Sequence, residues 1–339
     1  MSTTRLAWLL ALSISASGCS TLSYYQQAIS GHLSLTSQRQ SIERLLNTPE
    51  TPDRLRQQLI KVNSLTAFAR EQLDLPPQGA YSSYADLQRR YVVWNVFAAP
   101  EFSLQSKAWC YPIAGCANYR GYYSEEAARQ YARQLKEQGL DVYVAGITAY
   151  STLGWFNDPA LNTFIYRSDA QLANLIFHEL AHQKLYSKGD THFNESFATV
   201  VAREGVKRWL QYRHNPGAYQ SFLEEEAKQQ QFVELVLEHR NRLENIYESR
   251  LNSKQKRQQK QQIIEQLRNA HQHLKTQWGG QSLYDAWFAD ELNNAQLNTV
   301  ATYFDLVTQL EALLAANGFS LPAFYQASRQ FIAQRKNDD

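Results

Sequence analysis

The pattern that most constrains the fold of this chain is a pair of histidines four residues apart, with a glutamate directly after the first. The sequence reads His178-Glu179-Leu180-Ala181-His182. Apolar residues at three- and four-residue spacing predict that this stretch is an amphipathic helix: Leu172, Leu175, Ile176 and Leu180. Residues i and i+4 share one helix face, so both imidazoles can reach a single Zn²⁺ ion. The pattern therefore predicts a zinc site, with Glu179 placed to take a proton from an attacking water.

A catalytic zinc site needs a third protein ligand, and the segment after the motif helix offers one. Asn194-Glu195 followed by Phe197-Ala198 resembles the helix that carries the third ligand in gluzincins. Glu195 lies 13 residues after His182, which leaves room for a turn and an antiparallel second helix. We therefore expect Glu195 to complete the ligand set.

Two other residues of this segment compete for the same role. His192 and Asp190 also follow the turn and carry side chains that bind zinc. Asp190 or Asn194 could instead orient a ligand histidine through a hydrogen bond. A metzincin would have a histidine six residues after His182, but that position is Lys188, so the metzincin pattern is excluded.

The N-terminus predicts a lipoprotein signal peptide over residues 1–18. A positive charge precedes an apolar run at residues 6–14, and small residues then lead to Cys19. The run has about half of the roughly 20 apolar residues that a membrane-spanning helix needs. Gly-Cys after small residues resembles a lipobox, in which Cys19 becomes the lipidated first residue of the mature chain. An ordinary cleaved signal, or a cysteine there by chance, is the alternative.

Secretion changes the interpretation of the other two cysteines. Cys110 and Cys116 enclose a short segment that contains Pro112 and Gly115, two residues typical of turns. In an oxidising compartment this spacing favours a local disulfide over two free thiols.

The residue after the lipobox cysteine bears on which membrane holds the protein. It is Ser20, whereas an aspartate at this position would indicate retention in the inner membrane. We therefore expect a lipid-anchored protein on the outer membrane that faces the periplasm.

Periodicity along the chain predicts a predominantly helical α+β fold. The 339 residues are 44% hydrophobic, which fits a folded chain with a sizeable core. The net charge of +2 gives no reason to expect nucleic acid as a partner. We expect one domain over residues 19–339, built from a helical N-terminal region (24–90), a small sheet with the zinc-site helices (91–215), a helical hairpin (218–275) and C-terminal helices (290–335). The last of these regions should hold two helices, broken at Asn317-Gly318.

Two further groups of residues are candidates for roles around the zinc site. Residues 149–156 alternate loosely and precede the motif helix, as an edge strand that binds a peptide backbone would, although an ordinary core strand fits equally well. A Tyr or His often stabilises the oxyanion of the tetrahedral intermediate. The candidates for that role are Tyr150, Tyr166, His192 and Tyr303.

The chain resembles a family of predicted bacterial aminopeptidases, which are zinc peptidases and usually lipoproteins. The resemblance rests on five blocks of sequence, at residues 109–122, 149–156, 178–183, 193–198 and 292–295. It implies a zincin-like domain that hydrolyses peptides, with His178, His182 and Glu195 as zinc ligands and Glu179 as the general base. The aminopeptidase activity comes from the resemblance alone, and Glu204 is one candidate for the carboxylate that would bind a substrate's α-amino group.

Together these observations predict a zinc-dependent metallopeptidase, an aminopeptidase acting on peptides in the periplasm. An endopeptidase with the same site is the first alternative. The second is a non-catalytic envelope scaffold with a structural zinc site. In that case the charged hairpin at residues 218–275 would dock a protein partner, although a charged surface of this kind is usually only solvated.

Overall fold

The computed structural model describes residues 24–338, except 76, 78, 112–114, 150–156, 283 and 305. The part of the chain that it describes contains twelve helices and eight short strands. The strands form two three-stranded sheets and one two-stranded pair. The predicted predominantly helical α+β fold is thus confirmed. Of the helices in the described ranges, none has the length and apolar content needed to cross a membrane.

Three helices lie in the described part of the N-terminal region: α1 (24–37), α2 (Ile42–Asn47) and α3 (Asp53–Gln72). Two prolines interrupt the chain between α2 and α3, and Pro52 is the residue directly before α3. Proline suits this place because its fixed φ and missing N–H prevent the preceding helix from continuing. Helix α3 buries Leu59, Val62 and Leu65 in the main core.

The strands lie mostly between α3 and the motif helix: β1 (Gln40–Ser41), β2 (Ser83–Ala85), β3 (Val93–Pro100), β4 (Trp109–Tyr111), β5 (Gly115–Ala117), β6 (Arg120–Tyr122), β7 (Leu140–Ile147) and β8 (Ala160–Leu161). Strand β3 is central in one sheet, with β6 and β7 antiparallel on either side. Helix α4 (Glu125–Glu137) packs against this sheet and is capped by Ser124. The short strands β1, β2 and β8 form the other three-stranded sheet.

Helices α5 (Asp169–Lys184) and α6 (Thr191–Tyr212) pack along each other in the main core. They are followed by α7 (Pro216–Glu248) and α8 (Ser253–Gln277), which pack on each other as the predicted helical hairpin. Most of α8 is exposed, and its fully buried residues are Ile263, Leu267 and His271. The docking of a protein partner on this hairpin stays a prediction.

The C-terminal region contains three helices rather than the two expected from residue 297 onward: α10 (Asn294–Phe304), α11 (Val307–Ala316) and α12 (Leu321–Asp338), after the short α9 (Asp285–Phe288). The additional break follows Phe304. There the buried Ser196 of α6 donates a hydrogen bond to the carbonyl of Tyr303 and accepts one from the N–H of Leu306, both at 3.3 Å. A contact between distant segments therefore makes this break, and periodicity alone could not predict it.

Candidate functional site

Helix α5 carries both histidines of the H-E-x-x-H motif. It begins after Ser168, whose hydroxyl accepts a hydrogen bond from the backbone N–H of Gln171 at 3.3 Å. Such a cap satisfies one of the N–H groups that a helix leaves unpaired at its start. Most of the helix is buried in the core through its apolar residues, so its orientation is fixed. The imidazoles of His178 and His182 lie side by side, with ring centroids 4.8 Å apart.

The turn between α5 and α6 brings Glu195 back to these histidines. Asn194 is buried, and its amide binds both backbone groups of Ser187: the side-chain oxygen accepts from the N–H at 2.7 Å, and the side-chain nitrogen donates to the carbonyl at 2.8 Å. Asp190 caps α6 by accepting a hydrogen bond from the N–H of Phe193 at 3.0 Å. These contacts define where α6 begins, and so place Glu195 directly after its first turn.

The three predicted ligands meet in a compact, largely buried cluster. His178 Nε2 lies 3.2 Å from Glu195 Oε2, and His182 Nε2 lies 3.8 Å from the same oxygen. One ligand atom from each of the three residues lies within 4.8 Å of the others, so the cluster could hold a metal ion. The side chains retain only 8–17% of their solvent exposure. The structure thus brings together residues that are separated by up to 17 positions in the sequence.

The protonation states of Glu195 and His182 suit metal binding, whereas a protonated His178 would have to lose its proton. Burial lowers the pKa of His182 to about 4, so this imidazole is neutral at pH 7. Burial opposes ionisation of Glu195, but the neighbouring His182 and His178 outweigh it and lower the pKa of the carboxyl. For His178, burial acts to lower the pKa, but the hydrogen bond and charge of Glu195 raise it overall. An ionised carboxylate beside a neutral imidazole is the form in which these groups bind metal.

The cluster also leaves a buried imidazole without a hydrogen bond. Nδ1 of His182 has no hydrogen-bond partner among the described residues, and Nε2 is too far from Glu195 to form one. A buried polar group of this kind is costly unless something binds it. In a tetrahedral zinc site with bonds of about 2.0–2.2 Å, neighbouring ligand atoms are about 3.3–3.6 Å apart. The distances of 3.2 and 3.8 Å to Glu195 lie close to that range, and all three ligand atoms lie within 4.8 Å of one another, so the cluster is compatible with zinc.

Glu179 lies next to the cluster and is held in an environment that disfavours its charge. Burial raises the pKa of its carboxyl to about 7, while the nearby His178 lowers it and the carboxylates of Glu195 and Asp158 raise it further. Glu179 lines the same cavity as the three cluster residues. It can therefore exchange a proton with a molecule bound in that cavity.

The cavity in front of the cluster has a volume of about 370 Å³, and tyrosine is the commonest residue in its lining. Six tyrosines from four separate parts of the chain line it: Tyr24, Tyr111, Tyr119, Tyr123, Tyr186 and Tyr303. Among the described lining residues, Glu179 and Glu195 carry the only carboxylates, and neither a lysine nor an arginine is present. A bound molecule would therefore meet aromatic and hydroxyl groups and two acidic side chains.

The candidates for oxyanion stabilisation lie in different places. Tyr303 lines the cavity, and the charge of Glu195, followed by burial, raises the pKa of its phenol well above the usual value. Tyr166 is 40% exposed beneath the guanidinium of Arg54, away from the cavity. His192 lines a separate cavity beside α10. Tyr150 and most of the proposed edge strand lie outside the described residues.

Tyr119 is a cavity residue that sequence analysis missed. The pKa of its phenol is raised, first by burial and then by the carboxylate of Glu195. It stands in the short link between β5 and β6, among 20 tyrosines with no distinguishing local pattern. Only its proximity to Cys116, inside one of the recognisable sequence blocks, could have pointed to it.

Two further candidates have other contacts. Asp190 acts as the cap of α6, and the side chain of Glu204 pairs with Arg208 at 2.7 Å. Glu204 lies nine residues after Glu195, two and a half helical turns on, and so faces away from the cluster. It does not line the cavity formed by the described residues, and thus cannot bind a substrate amine there.

The two internal cysteines form part of the cavity wall. Cys110 and Cys116 are joined by a disulfide across the pair β4–β5, and Cys116 lines the cavity. The hairpin that this bond closes also contributes Tyr111 and Ala117. Cys19 and the predicted signal peptide lie outside the described residues.

Comparison with known proteins gives one informative result. Residues 23–339 match the model of a protein family whose description is "Putative aminopeptidase". No curated protein and no solved structure matches the chain. The match includes the sheet, both ligand-bearing helices and the hairpin.

Proposed function

The chain belongs to the "Putative aminopeptidase" family, and from this premise we propose that it is a zinc-dependent aminopeptidase with a zincin-like, gluzincin-type site. The observation that carries the proposal is the meeting of His178, His182 and Glu195 beside Glu179 in one cavity. Two histidines and a glutamate are the protein ligands of one class of catalytic zinc site, which keeps a fourth position for water or substrate.

The chain's own residues have distinct roles in this mechanism. His178, His182 and Glu195 would hold the ion, which when bound polarises the scissile carbonyl and the attacking water. The Glu179 carboxylate takes the proton of that water and passes it to the nitrogen of the leaving amine. A structural zinc site needs no such base, so the position of Glu179 supports an enzyme over a scaffold.

The charge of the cavity argues against a carboxypeptidase. The described lining has no lysine or arginine, and its two carboxylates, Glu179 and Glu195, already serve as the proposed base and metal ligand. Residues 112–114 and 150–156, outside the described set, contain no basic residue either. A carboxypeptidase needs a cation to pair with the substrate's terminal carboxylate, and an aminopeptidase does not.

The decisive test compares the wild type with Glu179→Gln. We expect both proteins to bind about one zinc ion per chain, since Glu179 is not a ligand in this mechanism, and only the wild type to cleave peptides. Metal analysis and a peptide library measure the two properties. Absence of zinc from the wild type, or equal cleavage by the variant, would refute the proposal.

A second comparison separates the two peptidase classes. Free and N-acetylated versions of the same peptides are offered to the wild-type protein. An aminopeptidase cleaves only the free peptides, because the blocked ones lack the cationic amine. Equal cleavage of both sets would identify an endopeptidase that uses the same residues.

We also propose that the protein is a lipoprotein of the outer membrane that faces the periplasm. The sequence of residues 1–19 supports this location, and the disulfide at Cys110 and Cys116 is compatible with an oxidising compartment. Mass spectrometry of the mature N-terminus tests it, since an acylated Cys19 is the expected first residue. An N-terminus without an acyl group would contradict this location.

A further inference from the structure

Helix α1 contributes one face to the wall of the cavity. Tyr24 and Ala28 line the cavity directly. The hydroxyl of Tyr24 lies 3.1 Å from that of Tyr111 on the disulfide hairpin, and the ring of Tyr24 lies 3.9 Å from the guanidinium carbon of Arg120. The helix therefore forms part of the cavity wall, in contact with Tyr111 of β4 and Arg120 of β6.

Close packing fixes the orientation of α1. The side-chain oxygen of Gln27 accepts a hydrogen bond from the N–H of Tyr123 at 3.0 Å. At Gly31, a Cβ atom would lie only 2.2 Å from the ring of Tyr123, so the helix approaches that ring more closely than any other residue type allows. The inner face is thus held in place, and the opposite face must point away from the protein.

The outer face of α1 carries an exposed apolar ridge, formed by Tyr25, Ile29 and Leu33. These residues follow one another at intervals of four, so they align along the helix. Ile29 is 59% exposed and Leu33 is 61% exposed. No Asp, Glu, Lys or Arg occurs between residues 24 and 37. The ridge can therefore enter an apolar phase without the desolvation of a charged side chain.

The chain before α1 indicates what covers this ridge. Cys19, the proposed site of acylation, lies five residues before Tyr24, and five extended residues span at most about 18 Å. An acyl chain in the bilayer would hold the start of α1 at the membrane surface. A helix at this interface buries its apolar face at the boundary of the acyl chains, and tyrosine is enriched at the same depth.

We propose that α1 lies on the membrane surface with the apolar ridge of Tyr25, Ile29 and Leu33 inserted in the lipid interface. One helix then serves both as the membrane-contacting surface and as a wall of the cavity. The cavity is held at the bilayer and receives its substrates there. This consequence for catalysis rests on the peptidase function proposed above, whereas the contact of the ridge with lipid rests only on the proposed acylation of Cys19.

Depth-dependent fluorescence quenching tests the proposal on the full chain in vesicles of phosphatidylethanolamine and phosphatidylglycerol. A bimane label on Gln26→Cys, at an exposed position beside the ridge, reports contact with brominated lipid. We expect strong quenching there and weak quenching of the same label on Ile60→Cys, an exposed apolar position on α3. Adding Ile29→Ser and Leu33→Ser should abolish most of the quenching at position 26, whereas adding Ile60→Ser should leave it unchanged.

Several outcomes would overturn the proposal. They are equal quenching at positions 26 and 60, quenching that survives the loss of Ile29 and Leu33, and failure of the chain to associate with vesicles. A dimer in sedimentation that the double substitution dissociates, without quenching, would assign the ridge to a contact between two copies. The quenching needs neither metal nor peptide, so a failure of the proposed peptidase function would leave it unaffected.

Discussion

At the scale of single residues, Asn194 controls the position of Glu195. Its amide makes two hydrogen bonds with the backbone of Ser187, and it is 1% exposed. Replacing it by alanine leaves the buried N–H of Ser187 unpaired, at a cost of about 1–3 kcal/mol. It also removes one of the two hydrogen bonds to the carbonyl of Ser187, which still accepts from the N–H of Asp190 at 3.2 Å. We expect Asn194→Ala to lower the unfolding temperature and to weaken zinc binding by about tenfold, as the loss of a supporting contact commonly does.

Asn293 provides the matched control for this prediction. It also makes two hydrogen bonds to backbone groups, from its amide to the carbonyl of Val142 and from the N–H of Gln296 to its oxygen, both at 3.1 Å. It does not line the cavity. Asn293→Ala should therefore reduce stability but leave zinc affinity unchanged in a titration with a chelating dye. An equal loss of affinity in both variants would show that Asn194 acts only through overall stability.

Tyr303 is the candidate of choice for stabilising the oxyanion. It lines the cavity next to Glu195, and the contact of its carbonyl with Ser196 fixes the end of α10 that carries it. Loss of one oxyanion donor costs about 10²- to 10³-fold in kcat. We expect Tyr303→Phe to lose at least about 10²-fold in kcat, with its zinc content retained. Tyr166→Phe, outside the cavity, should match the wild type, and full activity of Tyr303→Phe would remove the residue from the mechanism.

At the scale of elements, the approach of α6 to α5 depends on Gly205. A Cβ atom at this position would lie 2.8 Å from the ring of Phe177 on α5 and 2.9 Å from a methyl group of Leu73. Both side chains are fully buried and cannot move away freely. Overpacking of this kind costs about 1–3 kcal/mol. We expect Gly205→Ala to lower the free energy of unfolding by that amount in a urea titration.

Gly217 is the control for the effect of a helical glycine. It lies in the first turn of α7, and a Cβ atom there would have as its nearest neighbour the side-chain oxygen of Asn215, 3.9 Å away. Alanine is favoured over glycine within a helix by up to about 1 kcal/mol. Gly217→Ala should therefore leave stability unchanged or raise it slightly. If both substitutions have the same effect, the contact with Phe177 does not limit the packing of the two helices.

At the scale of the whole molecule, the parts that could be predicted are those set by local periodicity. That the imidazoles of His178 and His182 lie on one face of α5 follows from the geometry of a single helix. Glu195 required only a short turn and one further helix, although Asp190 competed until the structure assigned it to the cap of α6. The helical content and the hairpin α7–α8 follow from periodicity in the same way.

The remainder of the site depends on contacts between distant segments. Tyr24, Tyr119 and Tyr303 reach the cavity from α1, from the link between two strands and from α10. Tyr303 is only one of four candidates that the sequence offers, and nothing in the sequence around Tyr24 distinguishes it from tyrosines elsewhere in the chain. The break after α10 is likewise made by Ser196, more than 100 positions away. Such residues can be found only when the packed structure is known.

Because the cluster joins α5 to α6, two helices that pack along each other in the main core, metal binding should stabilise the entire molecule. A ligand that binds only the folded state adds about 2.7 kcal/mol when its concentration is 100 times its dissociation constant. In a protein of this size that is an increase of several degrees in the unfolding temperature. Calorimetry with zinc and with excess chelator measures the difference. We expect the chelator to lower the unfolding temperature of the wild type.

Two variants show whether this shift comes from the cluster. Glu195→Gln removes the carboxylate that both histidines face, so its unfolding temperature should no longer respond to zinc or chelator. Glu179→Gln changes a neighbouring carboxyl that is not a ligand, and should keep the full response. Because these glutamates occupy the same cavity, non-specific binding of zinc to acidic groups would affect both variants alike. Equal responses would therefore contradict a site built from His178, His182 and Glu195.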